Sequence, residues 1–433
     1  MSAPPSSLQR SLSLRDVIAL GINGVVGQGI FLLPGAAAAM MGPACMVAII
    51  AAGLLCMLIA LCFAEVGSRF EATGGAYVYA RETFGDFIGF EVGWMTCCVA
   101  VIAWAALANG LTEVLGQLVP AVKGGWIQPT LAVAVITGLT AINVFGARSG
   151  ARVVWFFTVA KLIPLALFIL VGFTAIEGAQ FEPLAPKGYG DLAETTLLVL
   201  YAYVGFETLV VPAGEMANPQ RAVPLALLWV MGIVMTIYIA VFAVAIGSFP
   251  GLPGHPNPVA AASELFMGPV GGTIVAVGIV LSVFGTNSGA ALVSPRRFFA
   301  LAERGDLPKK LAWVHPETGA PIPAILMTWG LASALTLTGT FKELAVLSVV
   351  ARFIQYLPTC LAVIVLRRRS DDGDNGDGFR LPLGPAIPIL TLALCTWLLV
   401  NTDPMRLAKG GVALLVGIPL YFLSRWSRSK TSS

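Results

Sequence analysis

Few side chains in this sequence are equipped for bond chemistry. The two histidines, His255 and His315, both lie in proline-rich loops, and the seven cysteines (45, 56, 62, 97, 98, 360 and 395) lie in or beside apolar runs. No spacing of His, Cys, Asp or Glu makes a metal-ligand set, so no metal, cofactor or catalytic residue is expected, and the cysteines read as small buried side chains. What stands out is a handful of ionisable groups inside long apolar runs, namely Lys161, Glu207 and Arg352. A charge at mid-bilayer costs at least about 2.5–3.5 kcal/mol on insertion scales, so each must face a polar interior. Lys161 is either a structural lysine satisfied by carbonyl oxygens or a working group. Glu207 is either a brace for the chain around it or a proton sensor or gate, and Arg352 is expected to pair with a carboxylate or carbonyls. Held away from water, Lys161 and Glu207 are candidates to exchange a proton during a working cycle.

A second kind of chemistry belongs to the backbone. The stretch Gly24-Val25-Val26-Gly27-Gln28-Gly29-Ile30-Phe31 sits inside an apolar run from Val17 to Met41. Glycine costs about 1 kcal/mol per residue in a helix relative to alanine, so three glycines weaken the helix there. In hydrocarbon a broken backbone survives only when buried in protein or lining a polar cavity. The stretch therefore reads as two half-helices meeting at a binding site, with freed N–H groups presented to an anion. Glycines serving close helix packing are the alternative. A second interrupted run, Tyr201 to Thr208, carries Gly205 and Glu207 at its centre. Half-helix N-termini carry about half a positive charge and C-termini the reverse, so a zwitterion fits between two such breaks.

The elements that must position these groups are membrane helices. Of 433 residues 57% are hydrophobic and 11% charged, with a mean hydropathy of +0.85; soluble chains carry about 25% charged residues. Met1 to Arg15 is polar and lacks a signal-peptide cleavage site, so the first apolar run is kept as a span. Twelve apolar segments of membrane length are expected at about 16–41, 44–64, 87–118, 128–146, 153–175, 193–215, 223–248, 270–300, 322–339, 343–366, 384–400 and 409–424. With the N-terminus inside, nineteen Lys and Arg fall in inner loops and tails. Only Lys123, Lys187, Lys342, Arg406 and Lys409 fall outside. That bias supports an even number of spans with both termini cytoplasmic in a cell (inner or plasma) membrane. The net charge of +3 is then mostly topological and implies no nucleic-acid partner. The Asp371–Gly378 run lacks the closing Glu of a calcium loop and reads as a solvated linker. Breaks in spans one and six are the pattern of a five-plus-five inverted repeat.

Four stretches in order carry a family likeness. They are Gly27-Gln28-Gly29-Ile30-Phe31, Glu65 through Gly93, the run from Phe206-Glu207 through Glu215 and Asn218-Pro219 to Pro224, and Pro295-Arg296 through Pro308. In these the chain resembles the amino acid–polyamine–organocation (APC) superfamily of transporters, bacterial amino acid permease or exchanger type. The resemblance implies an all-α leucine-transporter fold: a tail 1–15, a first repeat 16–175, a second repeat 193–366, an inner loop 367–383, two added spans within 384–424 and a tail 425–433. It implies alternating access around a central site. There Gln28, Gly29 and Ile30 offer N–H groups to a substrate carboxylate, while carbonyls of Val25, Tyr201 and Val204 receive the ammonium. The unwound glycines are Gly24, Gly27, Gly29 and Gly205. Relatives usually carry Ser or Thr where this chain has Gln28, whose longer amide either narrows the pocket or bonds the ligand. Trp104 falls at the pocket wall and Tyr201 at the gate. Lys161 falls where sodium-coupled relatives hold a sodium ion, implying sodium independence with proton coupling or exchange.

Asn287, beside Gly285, Ser288 and Gly289, is either a polar ligand contact or an interhelical hydrogen bond. Aromatics in apolar spans, here Trp104, Tyr203, Phe206 and Phe284, are otherwise packing. Glu65, Glu91, Glu113 and Glu215 fall near span ends and read as caps or gate contacts. The leading reading is a secondary transporter of amino acids, with a neutral small-to-medium side chain because no uncompensated acidic cluster awaits a cation. A polyamine carrier and an amino-acid-binding membrane sensor are the alternatives. A membrane enzyme would need clustered His, Asp or Ser groups, and ATP-driven transport would need a Gly-rich loop followed by Lys-Ser/Thr; the sequence has neither.

Overall fold

The computed structural model describes residues 8–122, 124–338, 341–370, 378–401 and 404–431. Most of the Asp371–Gly378 run lies outside them. Helices supply the regular structure, with one isolated bridge between Leu12 and Met216. The first expected span is two short helices, α1 (Leu14–Val25) and α2 (Gly29–Met41), separated at Val26–Gln28. Ser13 and Asp16 start α1 by capping each other's backbone N–H, which satisfies two donors a helix start leaves free. Next come α3 (Cys45–Gly67), a short helix α4 (Ala76–Phe84) inside the stretch expected to be a loop, α5 (Asp86–Leu118), α6 (Ile127–Val144) and α7 (Ala147–Gly172).

Span six departs from expectation. α8 (Leu192–Tyr203) ends at the predicted break, but 204–218 does not resume as a helix; it makes only two 3-10 turns, Phe206–Thr208 and Ala213–Glu215. Gly205 at φ +125 stops α8, and Pro212 and Gly214 stand where continuation would need helix formers. The chain then forms α9 (Pro219–Ser248), whose first turn is capped by the Asn218 side chain and begins with proline, a residue suited to that position. α10 (Pro258–Glu303) bends at Gly268, where φ is +67. α11 (Ile322–Thr338), α12 (Phe341–Ser370), α13 (Ala386–Val400) and α14 (Pro404–Thr431) complete the fold.

Six helical stretches among the described residues are long and apolar enough to cross a membrane, the first running through α1, α2 and α3 as Leu14–Gly67, and three shorter apolar helices accompany them. Taken singly, α1, α2 and α8 have 12 or 13 residues, about 18–20 Å at 1.5 Å per residue, short of a 30 Å hydrocarbon core. Such broken helices need company. α1 packs on α7, α9 and α10; α8 packs on α2 and α3; α10 packs along α7 and α5. Outer faces carry bare apolar side chains such as Phe156, Ile163 and Leu170 on α7 and Leu415 and Phe422 on α14. Exposed apolar surface on that scale belongs against lipid.

Candidate functional site

The two interruptions touch. A Cβ added to Gly205 would lie 2.3 Å from the Gly24 carbonyl oxygen, and one added to Gly24 would lie 3.0 Å from Thr208 Oγ1. Gly29 approaches α8 equally closely, with its added Cβ 3.2 Å from Ala202 Cα. Glycine therefore serves both readings of the sequence here, since it lets the backbone break and lets the broken ends meet. Tyr238 of α9 ties them together. Its hydroxyl lies 3.0 Å from the Val25 carbonyl and 2.9 Å from the Ala202 carbonyl, so one proton is shared between acceptors from the two breaks. Each is a carbonyl near a helix C-terminus with no intrahelical donor to meet it. Tyr238→Phe should leave both without this donor and destabilise the protein by about 1–3 kcal/mol. A melting temperature in detergent unchanged from the parent would refute the bridge.

Lys161, fully buried on α7, points at the end of α1. Its ammonium donates to the Asn23 carbonyl at 3.0 Å and the Val26 carbonyl at 2.6 Å. Ser282 of α10 donates to the same Val26 carbonyl at 3.0 Å, and the Asn23 side-chain amide donates to the Gly285 carbonyl at 2.6 Å. A cation at a helix C-terminus also meets the negative end of its dipole. Glu207 is arranged in the complementary way. Its carboxylate accepts the Gly205 N–H at 3.1 Å and the Tyr356 hydroxyl at 3.1 Å, and it forms an ion pair with Arg352 of α12. Glu207 thus braces the second break, and Arg352 has a carboxylate partner.

A cavity of about 100 Å3 lies between the breaks, walled by α5, α10 and α12. Of the expected contact residues, Val25, Gln28, Gly29, Tyr201 and Val204 line it, as do Gly24, Gly27 and Gly205. Ile30, Trp104 and Asn287 do not. α5 presents Val99, Ala100, Ala103, Ala106 and Leu107 to the cavity; at about 100° per residue Trp104 falls just past the edge of that face. Its side chain is buried in the core, and its indole N–H has no partner among the described residues. Asn287 donates its amide to the Leu107 and Val283 carbonyls at 3.0 and 2.9 Å, an interhelical bond joining α10 to α5. Lys161 and Glu207 sit behind the lining, Lys161 on backbone carbonyls and Glu207 on the Gly205 N–H and the side chains of Tyr356 and Arg352.

Sequence reasoning missed four polar wall residues, Thr208, Thr286, Ser294 and Arg297. Arg297 was counted with the loop cations because it lies near the end of its span. The signal that would have found it is the spacing of Thr286, Ala290, Val293 and Arg297, which puts all four on one helical face.

Around this centre, ion pairs on buried carboxylates lock the helix ends. Arg296 meets Glu215 through Nε–Oε1 at 2.6 Å and Nη2–Oε2 at 3.0 Å, both residues almost fully buried. Arg367 meets Glu65 at 2.6 and 2.5 Å, and the Leu381 N–H adds a third bond to that carboxylate. Glu65 and Glu215 are thus interhelical partners, whereas Glu91 finds none among the described residues.

Residues 12–417 match the family model for amino acid permeases. The chain is 31% identical to the serine/threonine exchanger SteT of Bacillus subtilis, the alignment covering 98% of each protein. It is 29% identical to the methylthioribose transporter of the same organism, over 96% of this chain and 94% of that one. It is 28% identical to the branched-chain amino acid permease BcaP, also of B. subtilis, over 98% and 95%. A match of that extent, together with the paired helix breaks, means that the chain belongs to the amino acid permeases of the amino acid–polyamine–organocation superfamily.

Proposed function

We propose that this protein is a secondary active transporter that carries amino acids across the cell membrane by alternating access, with no covalent chemistry. Family membership supports amino acids as the substrate class, since relatives of full-length similarity are named as amino acid exchangers and permeases. The observation that carries the reading is the small cavity lined by both helix breaks at once. Free N–H groups at the start of α2 suit a carboxylate, and the carbonyls of Val25, Tyr201 and Val204 suit an ammonium. The five-plus-five repeat and the cytoplasmic placement of both termini belong to this proposal.

Transport is independent of sodium and runs by exchange or proton coupling. Lys161 supports this, because its ammonium occupies the carbonyls of Asn23 and Val26 that a bound metal ion would otherwise use. The test is uptake of labelled amino acids and putrescine into liposomes carrying the purified protein, with sodium, pH and counter-substrate gradients varied one at a time. Amino acid uptake indifferent to sodium is expected, with Lys161→Ala lowering it more than tenfold. Sodium-driven uptake would refute the role of Lys161, and accumulation of putrescine alone would refute the substrate class. A requirement for internal substrate identifies an exchanger.

A further inference from the structure

The side-chain atoms of the cavity wall that lack partners are all donors. Arg297 Nε and Arg352 Nε are each buried with no acceptor among the described residues, and Gln28 Nε2 has only the Tyr201 hydroxyl beside it. Arg352 at least has its charge balanced by Glu207. Arg297 does not: its guanidinium makes no hydrogen bond or ion pair among the described residues, and only 4% of its surface is exposed. A buried, unmatched guanidinium is costly enough that it is retained where something recurrently matches it. Its position fits that role. Thr286, Ala290, Val293 and Arg297 follow one another along the α10 face that walls the cavity, Thr286 being the residue that faces Gly27.

With Arg352 balanced by Glu207, Arg297 is the cation on the cavity wall that has no anionic partner among the described residues. A zwitterion is already satisfied by the two helix breaks and leaves Arg297 unmatched. A cationic or polyamine substrate would be repelled. We infer that the substrate is an anionic amino acid, whose side chain ends in a second acidic group that Arg297 binds. This replaces the neutral side chain expected from sequence and rests on the transporter reading given above. Arg297 lies three helical turns, about 16 Å, beyond Thr286 along α10. Helical side chains lean back toward the N-terminus, so its head returns toward the break without reaching it. That geometry selects a side chain long enough to hold its carboxylate well away from the α-carboxylate, of glutamate length or longer.

Liposomes carrying the full chain would be assayed for uptake of labelled aspartate, glutamate, 2-aminoadipate, glutamine, serine, leucine and putrescine. The expected result is uptake of glutamate or 2-aminoadipate at least tenfold above glutamine. Arg297→Gln should lower the glutamate-to-glutamine ratio at least tenfold, as loss of a charge-assisted bond requires, and Arg297→Lys should restore part of it. Should Arg297→Gln fail to fold, the parent protein still decides through thermal protection, which millimolar glutamate should give and glutamine should not. Uptake of neutral amino acids equal to or above the acidic ones overturns the anionic class and leaves the transporter reading intact. Uptake of no amino acid overturns both.

Discussion

Gly205→Ala should abolish uptake and lower the melting temperature sharply. At φ +125 the residue occupies backbone space that side chains rarely enter, which alone costs of the order of 1–3 kcal/mol. The larger effect is collision. The new methyl group would sit 2.3 Å from the Gly24 oxygen and 2.8 Å from its carbon, and a backbone carbonyl cannot rotate aside as a flexible side chain can. The two breaks would have to separate, pulling apart the acceptors joined by Tyr238 and opening the wall of the cavity. Gly232→Ala is the matched control. It lies within α9 with nothing inside 4 Å of its added Cβ, so helix propensity should make it neutral or stabilising by up to about 1 kcal/mol. Liposome uptake and thermal unfolding of the two variants side by side decide the matter. If Gly205→Ala transports as the parent does, the breaks do not meet as described.

Arg296→Ala should cost about 3–5 kcal/mol, the penalty for leaving a buried carboxylate without its cation. Glu215 is 1% exposed and has no water to turn to. The loss would spread, because the Glu215 carbonyl also accepts the N–H groups of Ser11 and Leu12 ahead of α1. Three segments remote in sequence thus converge on one pair: the chain before α1, the irregular stretch 204–218 and the end of α10. The double variant Glu215→Met with Arg296→Met should recover most of the stability, since apolar isosteres often replace a buried pair without loss. Melting temperatures measured by size-exclusion after heating would show it. A double variant as unstable as Arg296→Ala would mean that the guanidinium matters for its bond to the Leu292 carbonyl rather than for charge.

Much of this architecture was legible because membrane insertion leaves a plain record in composition. The broken first span was readable from Gly24, Gly27 and Gly29, since glycine at mid-membrane has few uses. The helix end at Tyr203 was likewise marked by Gly205. Hydropathy alone did not reveal that 206–215 would avoid a helix: Leu209, Val210 and Val211 are as apolar as any span, and they are buried in turn structure between two 3-10 turns instead. α4 hid in a stretch whose mixed polarity resembles a loop. At the site, backbone contacts were more legible than side chains. Whether Trp104 or Ala103 faces the cavity turns on about 100° of helix rotation, which an apolar helix with no polar face does not declare. Arg297 was obscured by the charges that follow it in sequence, Arg304, Lys309 and Lys310.

The contact between Lys161 and α1 also has a mechanical side. A dissolved ion can leave its ligands and allow the surrounding helices to part, whereas an ammonium attached to α7 stays at a local concentration set by the chain itself. Sliding the end of α1 away from α7 must break both bonds from Lys161 together with the bond from Thr158 to the Ala19 carbonyl. α1 and α7 are therefore tied together by three bonds from the chain's own side chains, where a dissolved ion would be free to leave.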